Sequence, residues 1–173
     1  MRPNAVWDGS KDFEFEIGGR SDTDHAKDPV TRRSVSGGRV SLNGTAVNAR
    51  SAGEKIVTLS VTESEQGGMV HCAQDMIYVK RVLESVGLKV KLPMLLECDN
   101  KGAIDLANNW SSGGRTRHVD SRQKWLRELK EKEIMKYQWI PGPGNDTDMH
   151  TKNLGGPEVE KHAQVYFGKD EYN

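Results

Sequence analysis

The run Met94-Leu95-Leu96-Glu97-Cys98 constrains the fold more than any other stretch of this chain. It is short and mostly apolar, it follows a proline, and it reads as a buried strand. It ends in Asp99-Asn100, after which Lys101 to Ala107 reads as a helix. In α/β proteins the carboxyl ends of strands open onto a crevice, and chemistry is placed there. Asp99 stands at such a point. Asp22, Glu65 and Asp148 stand at comparable junctions. Four carboxylates from four elements, brought together, would hold two divalent metal ions, an arrangement for hydrolysing a phosphodiester.

The rest of the chain supplies a sheet for that strand. Phe13-Glu14-Phe15-Glu16-Ile17 alternates strictly and predicts a half-buried strand leading through Gly18-Gly19-Arg20 to Ser21-Asp22. Val40-Ser41-Leu42 and Ala46-Val47-Asn48-Ala49 flank Asn43-Gly44, a strong hairpin signal. The segment between Asp24 and Ser36 is polar, with Asp28-Pro29 as a turn. A long helix is expected over 61–86, with Met69, Cys72, Ala73, Met76, Leu83 and Val86 on one face. Ser60 with Glu63, or Thr62 with Glu65, can form a capping box at its start, and Gly87 suits the position just past its end. A second long helix is expected over 117–131, a strand over 134–140 and a short helix from about Asp146. The order βββ-α-β-α-α-β-α predicts an α/β fold. Its mixed five-stranded sheet joins an antiparallel meander to parallel βα units, with helices on both faces. Residues 1–154 form the expected domain, and 155–173 a C-terminal helix and tail.

The chain has 173 residues, 25 basic and 25 acidic, and a formal net charge of zero. No global basic excess marks a nucleic-acid binder, so bases must be concentrated on a gripping surface and acids at the metal site. Arg115, Arg117, His118, Arg122, Lys124 and Arg127 form one basic cluster, and Arg32-Arg33 another. Each reads either as a phosphate grip or as a solvated face. Trp110, Trp125 and Trp139 can stack on bases, but Trp125 and Trp139 fit the core better. Cys72 and Cys98 lie in apolar contexts without ligand spacing, which favours buried thiols and a reducing compartment. No apolar run approaches membrane-spanning length and the N-terminus has no apolar signal region, so an intracellular location, not secretion, is expected.

Several motifs stand in a fixed order. Ser21-Asp22-Thr23-Asp24-His25-Ala26-Lys27-Asp28-Pro29 precedes Thr31-Arg32-Arg33-Ser34-Val35-Ser36-Gly37. Then come Leu59-Ser60-Val61-Thr62-Glu63-Ser64-Glu65, Cys98-Asp99-Asn100 and Arg115-Thr116-Arg117-His118-Val119-Asp120. Trp139-Ile140-Pro141 and Asp148-Met149-His150-Thr151-Lys152 close the series. Together, over about 18–154, they resemble the ribonuclease H domain of copia-type retrotransposon Pol polyproteins.

That resemblance implies a ribonuclease H-like fold. It implies an endonuclease that hydrolyses the RNA strand of RNA–DNA hybrids with two Mg²⁺ ions, Mn²⁺ being an alternative, during reverse transcription. Asp22, Glu65, Asp99 and Asp148 are the implied catalytic, metal-binding acids. Arg32, Arg33, Asn100, Arg115, Arg117, His118, Arg122 and Lys124 are the implied nucleic-acid contacts. The implied partners are the hybrid and a reverse transcriptase domain of the same polyprotein, in the cytoplasm, the nucleus or a virus-like particle.

Rival assignments stay open at this level. Asp24 competes with Asp22 and Asp146 with Asp148, while Glu65 and Asn100 can serve as ordinary helix-start residues. The chain also departs from the family. Arg20 replaces an aromatic residue, His25 a tryptophan, and His150 an apolar residue, and Gln66-Gly67-Gly68 follow the glutamate. Two helical glycines cost about 1 kcal/mol each relative to alanine. The alternative is therefore a catalytically inactive nucleic-acid-binding or interaction module from a decayed or co-opted element.

Overall fold

The computed structural model describes residues 7, 9–10, 12–26, 30, 32–54, 57, 60–109 and 117–167. The strands are β1 Glu14–Phe15, β2 Ile17–Asp24, β3 Val35–Leu42, β4 Thr45–Gly53, β5 Lys89–Val90, β6 Met94–Cys98 and β7 Met135–Trp139. The helices are α1 Val61–Ser85, α2 Lys101–Asn108, α3 Arg117–Glu131, α4 Asp148–Thr151 and α5 Gly156–Ala163. Single 3₁₀ turns occupy Gly142–Gly144 and Gln164–Phe167.

Five strands make one mixed sheet in the order β4-β3-β2-β6-β7. β2, β3 and β4 pair antiparallel, and β6 pairs parallel with both β2 and β7. This is the expected architecture. Two consecutive glycines of β3 reveal the layers on either side. A Cβ on Gly38 would face Cys72 of α1, and one on Gly37 would face Thr151 and His150 of α4 and its end. Successive residues of a strand point to opposite faces, so α1 and α4 lie on opposite sides of the sheet.

Two expectations about strands needed correction. The aromatic segment is not the first strand of the main sheet. Glu14–Phe15 instead pairs parallel with β5, while Phe15 packs against Phe13 and Trp7. The sheet strand is Ile17–Asp24 and runs straight through Gly18-Gly19. Gly19 is required there, because a Cβ would collide with Met76 and Cys72 of α1. β3 and β4 also extend well beyond the apolar residues that announced them. Ser36, Arg39 and Ser41 are buried in β3 although polar. Ser36 Oγ donates to Ala52 O and Ser41 Oγ to Gly18 O, so burial leaves neither hydroxyl unpaired. Asn43 and Gly44 both have positive φ (49° and 89°), as a two-residue hairpin turn needs.

Local sequence explains the ends of α1. Ser60 caps it, accepting from Glu63 N, so the first of the two capping boxes supplies the cap. At the other end Gly87 has φ 82°, and Gly87 N and Leu88 N donate to Glu84 O and Leu83 O. That is the paired closure of a helix on a left-handed glycine. Met69, Cys72, Ala73 and Met76 are buried in the core with Leu96, Cys98, Leu126 and Met135, but Val86 is exposed as the C-cap residue.

The Gly67-Gly68 pair has a packing role. A Cβ on Gly68 would lie 2.6 Å from Thr23 Oγ1 and 3.5 Å from Asp22 O, so the glycine lets α1 press against β2. A Cβ on Gly67 would meet only the flexible Arg122 guanidinium at 3.3 Å and Glu54 farther off. The two positions should therefore respond differently. Gly67→Ala is expected to be neutral or to stabilise by up to about 1 kcal/mol. Gly68→Ala should destabilise by about 1–3 kcal/mol through overpacking. Urea unfolding of both variants checks this, and equal responses would refute the close-approach argument.

Candidate metal centre

The site begins with strand register. In the parallel β2–β6 ladder Arg20 pairs with Glu97 and Ser21 with Cys98. The next residue on each strand is an aspartate, so Asp22 and Asp99 become neighbours at the strand ends. Glu65, on the fifth residue of α1, reaches the same end from the helix side, where its Oε2 accepts from Cys98 Sγ at 3.7 Å. Asp148 is the first residue of α4. One ligating atom each from Asp22, Asp99 and Asp148 fall within 4.8 Å of one another, and so do those of Glu65, Cys98 and Asp99. Asp99 belongs to both groups. The structure thus brings together all four acids that the sequence singled out.

Their rivals do other work. Asp146 is fully buried, accepting from Arg20 Nη1 at 3.0 Å and from Arg39 Nη2 at 3.2 Å. Asp24 pairs across to Val35, two residues past Asp22, and belongs to neither group. Asn100 caps α2, with its Oδ1 accepting from Ala103 N at 2.9 Å.

Several positioning residues carried no clear signal in the sequence. Trp139 was expected in the core, yet it is 46% exposed. Its Nε1 donates to Asp99 O at 2.9 Å and pins the main chain there. Buried Asn145 donates from Nδ2 to Ser21 O at 3.2 Å, and its Oδ1 accepts from Thr147 Oγ1. Thr151 Oγ1 donates to Asp22 Oδ2. Lys152 Nζ lies 2.6 Å from Asp148 Oδ1 and 3.7 Å from Asp22 Oδ2. Thr151 and Lys152 belong to a motif visible in the sequence, but only the fold gives them partners.

The basic residues are less gathered. Arg32 and Arg33 are exposed just before β3. Arg122 lies against Gly67, close enough to Glu54 to help hold that carboxyl below its ordinary range, after His71. Lys124 is exposed. Arg115, Trp110 and the side chains of Arg117 and His118 lie outside the described residues.

Crowding and burial set the electrostatics. Burial pushes Glu65 up to about 9, with the charges of Asp22 and Asp99 adding to the effect. Burial likewise pushes Asp22 up to about 6, against the opposing Thr151 hydrogen bond and the Lys152 charge. Asp99 is raised too, chiefly by burial. Buried carboxyls raised in this way resist ionising until positive charge arrives. Oxygen donors that crowd without enough compensating charge fit a hard divalent ion, Mg²⁺ or Mn²⁺. Between 4.5, the ordinary glutamate value, and about 9, the folded chain keeps a proton on Glu65 that the unfolded chain has lost. Stability must fall as pH rises through that window. The metal-free chain is therefore expected to resist urea better at pH 5 than at pH 8. Glu65→Gln should flatten the slope, and Mg²⁺ should stabilise most at pH 8. A flat profile for the metal-free native chain would contradict the crowded-acid electrostatics.

No family model matches the chain. Curated relatives do, two of which are Pol polyproteins of transposons. It is 37% identical over 134 residues to the retrovirus-related Pol polyprotein from transposon TNT 1-94 of Nicotiana tabacum, covering 78% of this chain and 10% of that protein. It is 25% identical over 143 residues to the retrovirus-related Pol polyprotein from transposon RE1 of Arabidopsis thaliana, covering 83% and 10%. The chain thus spans about a tenth of the length of the curated relatives it matches. Among solved structures, it resembles the N-terminal ribonuclease H domain of Rv2228c from Mycobacterium tuberculosis, solved as a fusion with maltose-binding protein. That match has TM-score 0.57 and 13% identity, covering 87% of this chain and 98% of the other. It also resembles LC11-RNase H1 in complex with an RNA/DNA hybrid, with TM-score 0.60 and 11% identity, covering 79% and 94%. By sequence the chain belongs with the Pol polyproteins of retrotransposons, and its fold is that of ribonuclease H domains.

Proposed function

We propose that this chain is a metal-dependent endonuclease that cuts the RNA strand of RNA–DNA hybrids during retrotransposon reverse transcription. The observation that carries the reading is the pair of ligand groups sharing Asp99. Asp22, Asp99 and Asp148 would hold one Mg²⁺, and Glu65 with Asp99 a second. When bound, such ions supply an activated water and neutralise charge on the leaving oxygen.

The chain's own residues set the geometry for this. The β2–β6 ladder fixes the spacing of Asp22 and Asp99, Trp139 fixes the main chain of Asp99, and Thr151 orients Asp22. Glu65 keeps its proton until positive charge arrives, which limits repulsion in the empty crevice. Selection of the hybrid would rest on groove shape and 2′-hydroxyl contacts, not on base edges. LC11-RNase H1, of the same fold, was solved with an RNA/DNA hybrid, which supports this substrate class. The Pol polyprotein relatives support a reverse transcriptase domain as the working partner.

The rival reading is an inactive module that keeps the fold alone, and metal-dependent cleavage separates the two. Asp99→Asn should lower Mg²⁺-dependent cleavage of a labelled RNA–DNA hybrid by roughly a hundredfold or more, the scale of losing a group that stabilises developing charge. The metal-free variant should be as stable as the native chain or slightly more so. Cleavage retained by the pure variant, or no cleavage by the native chain with Mg²⁺ or Mn²⁺, overturns the proposal. If Arg117 and Lys124 grip phosphates, replacing both with alanine in the Asp99→Asn background should shallow the salt dependence of hybrid binding. The expected change is about one unit of slope for each phosphate no longer neutralised. An unchanged slope assigns them to a solvated helix face.

A further inference from the structure

Lys152 stands where positive charge is needed if the crevice holds no metal. α4 is a single turn, and Lys152 closes it, with its main-chain N–H donating to Asp148 O at 2.8 Å. Its side chain folds back so that Nζ lies 2.6 Å from Asp148 Oδ1 and 3.7 Å from Asp22 Oδ2. Among the described ion pairs, Asp22 and Asp148 pair with no other base. The same two carboxylates, with Asp99, form one of the ligand groups. Ammonium and divalent ion therefore need the same oxygens.

The two kinds of cation near this end of the sheet are built differently. Arg20 and Arg39 face the fully buried Asp146 with side-chain exposures of 13% and 6%. A guanidinium is a rigid fork that suits permanent, multiply bonded pairing. The Lys152 side chain is 40% exposed, although the Asp22 side chain it approaches is only 3% exposed. An ammonium on a flexible stem is a point charge with rotatable donors and little geometric lock. It can enter the crevice when the crevice is otherwise uncompensated and withdraw to solvent without unfolding anything.

We infer that Lys152 is an exchangeable counter-cation of the acidic crevice, occupying it in the metal-free protein and displaced when a divalent ion enters. This rests on the metal-site reading above. Metal uptake is then an exchange of one cation for another, and the lysine sets how tightly the metal is held. Lysine in place of a neutral residue weakens binding but gives Asp22 and Asp148 a counter-charge in the metal-free protein.

Calorimetric titration of the full chain with Mg²⁺ tests this. Lys152→Met keeps the stem and removes the charge, and it should bind Mg²⁺ roughly tenfold more tightly than the native chain, equivalent to about 1.4 kcal/mol. Lys152→Arg should stay near the native value. A loss of mere structural support would weaken binding, not tighten it. The native chain supplies an independent readout. Acylation of the Lys152 amine, followed by peptide mass spectrometry, should accelerate when Mg²⁺ is added, whereas in Asp99→Asn it should not respond. Unchanged or weaker Mg²⁺ binding in Lys152→Met, or an acylation rate that Mg²⁺ leaves unchanged or slows, overturns the exchange. If native chain and Lys152→Met both fail to bind Mg²⁺, the metal-site reading itself falls, and the exchange with it.

Discussion

Everything at the acidic end of this molecule depends on the parallel pairing of β2 with β6. Arg20 opposite Glu97 and Ser21 opposite Cys98 place Asp22 and Asp99 side by side at the strand ends. A slip of one residue would turn every side chain of one strand to the opposite face. Glycines at 18 and 19 offer no side-chain pattern to prevent such a slip. The Arg20–Glu97 ion pair does so instead, with Nε to Oε2 at 2.8 Å between residues directly opposite in the ladder. The pair is nearly buried, so breaking it would leave a charge without a partner. Its value lies less in net stability than in making the wrong register expensive.

The same arginine extends this control to the last acid. Arg20 Nη1 also reaches Asp146 Oδ1 and Gly144 O, and Arg39 from β3 reaches Asp146 from the other side. The loop after β7 is thereby fastened to two strands. Asn145 adds a third tie through Ser21 O. Asp148 is delivered to the crevice by this fastened loop, only two residues beyond the buried Asp146. The two aspartates look equivalent in the sequence, and burial separates them. One is neutralised by arginines inside the fold, and the other stays at the crevice with Lys152 beside it.

How much of this was legible in the sequence depended on the kind of signal. Element order, α1 with its Ser60 cap and Gly87 end, the Asn43-Gly44 hairpin and the β6–α2 unit all follow from local patterns, and the structure bears them out. The four acids that converge stand out because each sits at a junction between elements and within an ordered motif. The failures share one cause, which is that tertiary partners overrode local pattern. β2 carries Gly19 because α1 presses on it, and β3 carries serines and an arginine because loop and sheet groups satisfy them. Trp139 read as core from its size and surroundings, but its partner is the Asp99 carbonyl at the crevice rim. Lys152 had no readable role, because its two acids lie 4 and 130 residues away.

The departures from the family pattern bear on whether this chain is a remnant. Arg20 in place of an aromatic residue is matched by Glu97 and Asp146. Gly68 is matched by the close approach of Thr23 and Asp22. His150 is matched by Tyr166, edge-on with ring centroids 5.5 Å apart and with His150 Nε2 hydrogen-bonded to the phenol. Drift without selection leaves buried polar groups unpaired and cavities unfilled, because each single change is destabilising and nothing removes it. Here each of these three unusual residues has a complementary partner from a distant part of the chain. At these three positions that coherence argues for a fold kept under constraint, whereas Nε2 of the buried Gln66, another departure, has no hydrogen-bond partner among the described residues. The constraint reaches the crevice itself, since Arg20 holds both the β2–β6 register and the loop that carries Asp148. A module that kept only its shape would have no need of Asp22, Glu65 and Asp99, three carboxyls whose ionised forms burial penalises. Their burial, at a cost to the metal-free protein, is the cost that the proposed divalent ion would offset.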